Sequence, residues 1–576
     1  MTLNQALSIV NSSERTGPKK VYYLVCGFEP LHFATFLKAH LLERLPQDDV
    51  EIRSGLYGDL VGNIDRATSS PATAAIVVLE WGDLDPRLGL RSSGGWGGEA
   101  KTDIVGGLAR RFAQLETGLE KLAGRMPVAV ARPSLPLPPV GNTIRAQSSV
   151  LELELEQQMA AVLLRLARIP GVRVIQAGSL DSVAHPDSRL DAGMELMAGF
   201  PYKLAFAGEL ASASVAVLHQ RPPKKGLITD LDDTFWSGLV GENGVDGVSW
   251  QQEHHTQIHG IYQQMLGHLA DSGILLAVCS KNEAATVETA LARKDLFLDP
   301  ATLFPVCANW GPKSTSVGKI LRAWNIGEDA VVFVDDNQME LEEVKRAYPG
   351  ITCLHFRGKS PALVWNLLGE LRDLFGKPVL TEEDKLRRDS LRAAAQIEEL
   401  GERAATPEFL QGLKGVVTVS WGMDPADKRP LELINKTNQF NLNGLRVDEG
   451  DWQRRLEAPN AVLAVISYRD KFGPLGKVAV AMGMRTGGHL RIIHWVMSCR
   501  AFSRRLEHHT LECLFRHSGV EEIEFAFQPT EKNQPTQFFF EELGSRRDES
   551  GRQTITRADF LSRCGSLPHK VSEVEK

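Results

Sequence analysis

Three aspartates, Asp230, Asp232 and Asp233, stand almost side by side in "GLITDLDDTFWSGLVGENG", where an apolar run ends. Like charges that close repel, and taking carboxylates out of water is costly, so a cation or a phosphate reaction is what makes such a cluster useful. Asp230 and Asp232 are two apart, a spacing that puts both side chains on one face of an extended chain. Thr234 follows as a hydroxyl donor. Alone, an isolated D-x-D-x-T is a weak signal, more often a capped turn than a site. Three later segments supply the missing context. "AVCSKN" ends an apolar run with Ser280 and Asn282, "NWGPKSTSVGKI" opens a helical pattern at Lys313, and "VVFVDDNQMELEEV" ends another apolar run in Asp335 and Asp336. Together they match phosphoryl transfer. One carboxylate attacks phosphorus while the second handles the leaving group's proton. Asp230 and Asp336 offer hard oxygens to Mg2+. Ser280 and Lys313 offer donors and positive charge to phosphate oxygens.

Such residues must be held at strand ends, and the chain supplies the strands. "KKVYYLVCGF", "AAIVVLEW", "MPVAVARPSL" and "GVRVIQAGSL" alternate with helical patterns from the N-terminus onward. After the basic, proline-containing "HQRPPKKG", a second alternating block contributes "KGLITDLD", "GILLAVCSK", "TLFPVCA", "AVVFVDDN" and "ITCLHF". Continuous apolar strands between helices predict parallel sheets covered on both faces, and open sheets of this class bind ligands beyond their carboxyl ends. A charged helical stretch follows. In the last block "GVVTVSWG", "AVLAVISYRD", "GKVAVAMGMR", "LRIIHWVMSC" and "EIEFAF" come close together, which predicts an α+β unit with antiparallel neighbours. The expected organisation is therefore 1–221, 222–377, a helical linker 378–405, and 406–576. Between Thr234 and Cys279 there is one clear helical run, at about 252–271, and the interval from Asn282 to Lys313 is short. Neither leaves room for a large cap domain, so the site should be open to solvent or to a macromolecular partner.

The 576 residues carry a net charge of -7, with 43% hydrophobic and 24% charged residues, which is ordinary globular material with no reason to expect nucleic acid. No apolar run approaches the ~20 residues of a membrane span, and the first twenty residues lack the pattern of a secretory signal. Seven scattered cysteines without a C-x-x-C pair fit a reducing cytoplasm better than a disulfide framework. The two "EHH" elements, at 253–255 and 507–509, read as polar helix faces.

Over about 222–375 the motifs resemble the haloacid dehalogenase superfamily of aspartate-nucleophile phosphotransferases. By that resemblance Asp230 is the nucleophile, Asp232 the general acid/base, and Thr234, Ser280 and Lys313 bind phosphate. Asp336, assisted by Asp335, joins Asp230 and the backbone carbonyl of Asp232 around Mg2+. "DLDDTFWSGLVGENGVDGV", "CSKNE" and "FVDDN" further resemble the FkbH-like proteins of polyketide pathways. So do "INKTNQFNLNGLR", "WVMSCRAFSRRLEHHTLECL" and "FQPTEKNQPTQFFFEELG" in the last block, which is similar to the GNAT acyltransferase fold. The first block resembles a divergent SGNH-hydrolase-like domain. It has no Gly-Asp-Ser motif, and Cys26 stands where a serine would be sought, so a structural or docking role is expected. The resemblance implies a glyceryl loading reaction. Phosphate is removed from 1,3-bisphosphoglycerate, a phosphorylated three-carbon acyl substrate, and the glyceryl group is left on the phosphopantetheine arm of an acyl carrier protein. A thiolate attacking an acyl phosphate is reasonable chemistry. Cys499, which ends a strand before a helix, is the first candidate to carry the acyl group. Cys279 is the second, although strand alternation turns it away if Ser280 faces the phosphate. Two departures stand out. Ser503 and Arg505 occupy glycine positions of the GNAT pattern, which weakens coenzyme A binding, and Asp233 replaces an asparagine. A phosphomonoesterase with a degenerate last block, or a noncatalytic module that docks carrier proteins, are the alternatives.

Overall fold

Uninterrupted apolar runs form the buried strands of two parallel sheets. A computed structural model of the chain describes residues 1–12, 17–92, 96, 98–144, 146–377, 407–422, 424, 427–471, 473–547 and 552–575. The expected linker 378–405 lies outside the described residues. The chain divides into two units, Met1–Arg221 with Val447–Glu457, and Pro222–Arg446 with Ala458–Lys576.

In the first unit, β1 (Lys19–Val25), β2 (Asp49–Ser54), β3 (Ala74–Val78), β4 (Val128–Ala131) and β5 (Val172–Val174) form a parallel sheet in the order β2-β1-β3-β4-β5. Every residue of β3 and β4 is buried, because helices cover both faces. One face packs on Phe33, Phe36 and Leu37, the other on Leu108, Phe112 and Leu155. The third sequence block is not contiguous in space. Its segment Val447–Glu457, holding the helix Glu449–Leu456, belongs to this unit. Lys20 Nζ lies 2.5 Å from Asp448 and 3.4 Å from Asp451, Arg173 lies 2.5 Å from Glu449, and Trp452 is buried. Sequence periodicity could not reveal this, since the partners are more than 250 residues apart along the chain.

In the second unit, β6 (Gly226–Thr229), β7 (Leu275–Ser280), β8 (Leu303–Ala308), β9 (Val331–Asp335) and β10 (Thr352–His355) form a parallel sheet in the order β10-β9-β6-β7-β8. Strand order reverses at β6, which has β7 on one side and β9 on the other. Gly226 is required where it stands: a Cβ there would lie 2.4 Å from the indole of Trp324, which packs over the strand. The expected helix at 252–271 starts late, at Gln257, because His255 takes a left-handed φ of 57° and closes a short 3-10 turn.

The same unit holds a mixed sheet of β11 (Val416–Trp421), β12 (Phe440–Asn441), β13 (Ala461–Asp470), β14 (Gly473–Thr486), β15 (His489–Met497), β16 (Glu522–Phe525), β17 (Arg546–Arg547), β18 (Gln553–Thr556) and β19 (Lys570–Glu575). Its centre, β11-β13-β14-β15, is antiparallel. The pairs β15–β16 and β11–β19 are parallel. "VVTVSW" in β11 alternates between buried and half-buried positions, as expected for a sheet with one covered face. The chain is thus mixed α/β, with two parallel sheets and one mixed sheet.

Candidate active site

The reversal of strand order at β6 opens a crevice between the ends of β6 and β9, where ligands of such sheets bind. Asp230 follows β6 and Asp335 ends β9, with Asp336 next. One carboxylate oxygen from each of Asp230, Asp335 and Asp336 lies within 4.8 Å of the others. Lys313 opens the helix Lys313–Trp324 and reaches into this group. Its Nζ is 2.6 Å from Asp335 Oδ2, 2.5 Å from Glu340 Oε2 and 2.9 Å from Asp230 Oδ1. The last is a charge contact out of line for a hydrogen bond, since Asp230 Oδ1 has no hydrogen-bond partner among the described residues. Glu340 also takes Lys281 at 2.9 Å. Sequence reading missed Glu340. It sits in the first turn of the helix Gln338–Ala347 that follows β9, and nothing in "DDNQMELEE" sets it apart from Glu342 and Glu343.

The electrostatics follow from burial. Burial pushes Asp230 and Asp335 above the usual carboxylate range against the pull of Lys313, and Asp335 adds repulsion at Asp230. Asp336 is pushed up to about 6 by burial and by repulsion from Asp230 and Asp233. Burial opposes the Lys313 charge, yet Asp230 and Asp335 hold it above the ordinary lysine value. Four carboxylates, those of Asp230, Asp335, Asp336 and Glu340, face two ammonium groups, those of Lys281 and Lys313. The excess is negative, and the donors are hard oxygens that suit a divalent cation.

Asp232 does not join the three carboxylates. After Asp230 the chain turns, with Thr234 N and Phe235 N donating to Leu231 O, so the alternation of an extended strand stops there. Asp232 Oδ1 accepts from Trp236 Nε1 at 2.8 Å and Val240 N at 3.1 Å, and Oδ2 accepts from Asn282 Nδ2 at 3.0 Å. Asn282 also donates to Ser280 Oγ at 3.0 Å, linking the acid to the buried serine. Asp233 occupies a left-handed φ of 51°, and its Oδ1 accepts from Gly238 N at 2.8 Å, which gives this departure a structural role in the turn. Thr234 is fully buried, with its hydroxyl unpartnered among the described residues.

Neither cysteine candidate is at the carboxylates. Cys279 is buried in an apolar cluster with Sγ 3.7 Å from Lys313 O, and burial raises its thiol well above the ordinary value. Cys499 Sγ lies 3.5 Å from Asn325 O, at the far end of the Lys313 helix, on the wall of a cavity of about 640 Å³. Ser503 and Arg505 take left-handed φ values of 61° and 57°, the conformation glycine supplies at those positions. The second "EHH" is not a polar face: His508 and His509 are buried in the helix Leu506–Ser518, under the mixed sheet.

The equivalent crevice of the first sheet is filled. Gly27 N, beyond β1, donates to Asp83 Oδ2 at 3.2 Å, and Arg91 pairs with Asp83 and, at 2.7 Å, with Glu195. Glu80 accepts from Ser134 Oγ at 2.6 Å, Leu135 N at 3.1 Å and Tyr202 Oη at 2.8 Å. Cys26 is buried, and burial raises its thiol well above the ordinary value.

No protein-family model and no curated protein matches the chain. Among solved structures it is similar to the N-terminal part of protein BF1531 from Bacteroides fragilis, which contains a phosphatase domain and was crystallised with Mg. The identity is 19%, the TM-score 0.50, and the match covers 66% of this chain and 100% of that one. At that identity the likeness establishes the fold. A second structure, the salicylyl-acyltransferase SsfX3 from a tetracycline biosynthetic pathway, aligns over 35% of this chain and 54% of that one, at 12% identity and a TM-score of 0.21. No helix among the described residues is long and apolar enough to cross a membrane.

Proposed function

We propose that the middle block is a Mg2+-dependent phosphohydrolase of the haloacid dehalogenase type. The observation that carries this reading is the meeting of Asp230, Asp335 and Asp336, the first two paired with Lys313, at the point where strand order reverses. Asp230, Asp335 and Asp336 would hold the ion, which when bound screens phosphate from the carboxylates and polarises it. Lys313 and Ser280 steady the phosphate oxygens. Asp230 attacks phosphorus, the bond from phosphorus to the ester oxygen breaks, and Asp232 gives that oxygen its proton. Water then attacks the aspartyl phosphate, returns a proton to Asp232, and frees phosphate and Asp230. Asn282 and Trp236 hold Asp232 for both steps.

We further infer that the whole chain loads a glyceryl group from 1,3-bisphosphoglycerate onto an acyl carrier protein. The position of Cys499 away from the carboxylates fits a division of labour between the two phosphates. A carboxylate attack on the phosphorus of this acyl phosphate would leave 3-phosphoglycerate, whose free carboxylate has no activated bond. Thiol attack on the acyl carbon expels that phosphate and keeps a thioester. The aspartate site is then suited to the other phosphate, a simple ester. The same separation favours a second reading, a phosphomonoesterase acting without acyl transfer. Intact-mass spectrometry after incubation with 1,3-bisphosphoglycerate, Mg2+ and a carrier protein tests both. A glyceryl-sized adduct on the carrier that vanishes in Cys499→Ala supports loading. Phosphate release with no adduct on any thiol leaves the phosphomonoesterase. Loss of release of the ester phosphate in Asp230→Asn is expected under either, while thiol attack still expels the acyl phosphate; undiminished release of the ester phosphate would sink both.

A further inference from the structure

The parallel sheet of the second unit has two ends, and the carboxylates use one. At the other end, Lys225 immediately precedes β6 and Asp329 lies just before β9. Both line the cavity that holds Cys499. Because β6 and β9 run parallel, this cavity and the carboxylates lie beyond opposite ends of the same strands. The four residues of β6 alone separate them by about 13 Å. The cavity is therefore a distinct place, with about 640 Å³ of space.

Its lining has a sign. Lys225, Arg429, Lys436 and Lys532 face it against Asp329 and Glu531. Arg429 is only 6% exposed. One of its NH2 groups pairs with Glu432 at 3.1 Å, while its Nε has no hydrogen-bond partner among the described residues. A buried guanidinium N–H without an acceptor is costly; the protein covers this Nε, so a ligand oxygen meets it only when the side chain shifts. The fork of an arginine on a cavity wall suits phosphate or carboxylate oxygens.

We propose that this cavity is a second anion site, separate from the carboxylate centre, which takes a phosphate-bearing ligand against Arg429 and Lys436 with the Cys499 thiol at its wall. The proposal goes beyond the phosphohydrolase reading and does not depend on it. Binding there covers Cys499 whether or not the thiol ever carries an acyl group.

The test uses the full chain in chelator, so that no divalent ion is bound, with inorganic pyrophosphate as the probe. Alkylation by the neutral reagent N-ethylmaleimide is followed at each cysteine by peptide mass spectrometry. Cys307 and Cys353, both partly exposed, serve as internal references. At pyrophosphate near ten times its Kd, mass action predicts about tenfold slower alkylation of Cys499, with the references unchanged. The protection should fall in Arg429→Gln and in Lys436→Gln, and persist in Asp336→Asn. If Arg429→Gln does not fold, Lys436→Gln carries the comparison. An unchanged Cys499 rate, protection undiminished in the variants that fold, or protection lost in Asp336→Asn would each overturn the proposal. The last would place the anion at the carboxylates instead.

Discussion

The two parallel sheets put acids at the same topological point and treat them in opposite ways. Beyond β1 and β3 of the first sheet, Asp83 is met by Arg91 and by the Gly27 amide, and Glu80 by Ser134, Leu135 and Tyr202. Beyond β6 and β9 of the second, the carboxylates of Asp230, Asp335 and Asp336 crowd together, and Lys313 pairs with the first two and with Glu340. In the first crevice Asp83 and Glu80 are each held by internal donors, and one oxygen of Glu195 is left without a hydrogen-bond partner among the described residues. In the second, carboxylates outnumber ammonium groups; burial lifts acids in both crevices, Glu80 to about 7 and Asp336 to about 6, so it is the balance of internal partners that separates them. A crevice in such a sheet is a place where a site can be built. What makes it one is polar capacity left unsatisfied by the protein itself.

Cutting a carboxylate in each crevice should expose the difference most strongly. Asp230→Asn is expected to lower release of phosphate from an ester by at least about 10⁴-fold, the scale seen when a nucleophile is removed. Asp83→Asn should leave turnover unchanged and cost stability instead. It leaves Arg91 with less compensation in a buried pair, a loss of about 3 kcal/mol, read as a lower urea midpoint. Turnover falling with Asp83→Asn at full folding would mean that the first crevice is not closed to chemistry.

A smaller effect is expected at Glu340, which aims Lys313 without reaching the substrate itself. Glu340→Gln keeps the shape and drops one charge next to Lys313 and Lys281. The expected outcome is about a tenfold fall in kcat/KM, carried mainly by KM because both lysines lose the anchor that holds them toward phosphate. Glu340→Asp should recover part of it. An equal loss in both variants through kcat alone would assign Glu340 to a different role.

Much of this was legible in the sequence because the residues sit at strand ends, where an apolar run announces the element and the polar residue announces its edge. Asp230, Ser280, Asp335 and Asp336 were readable that way, and Lys313 from the opening of a helical pattern. Glu340 was not, because a helix turn beyond a motif looks like any exposed acid. The orientation of Asp232 was not, because an alternation argument fails one residue past the strand. The filled first crevice was hidden too, since Asp83, Arg91 and Glu195 meet only in three dimensions. Partners remote in sequence likewise placed Val447–Glu457 in the first unit.

The second "EHH" carries the same lesson about partners into the mixed sheet. A helix that looks polar from its histidines turned those side chains inward. His509 is 1% exposed, stacks on His569, and neither ring nitrogen has a hydrogen-bond partner among the described residues. Burial first, then the neighbouring His569 and His508, depress its pKa to about 3. The folded value lies below the ordinary histidine value of about 6.5, so below that pH the unfolded chain binds a proton the folded chain refuses. Stability from this group is fully present above about pH 6.5 and is lost as pH falls toward 3. The slope is one proton, at most about 1.4 kcal/mol per pH unit. Urea unfolding of the native protein and of His509→Leu at about pH 7, 6 and 5 isolates it, because the carboxylates titrate in both. The native protein should lose stability more steeply by up to that amount per unit. Parallel pH profiles would mean that His509 finds a partner for its proton, and that a buried group without one is not what weakens this region in acid.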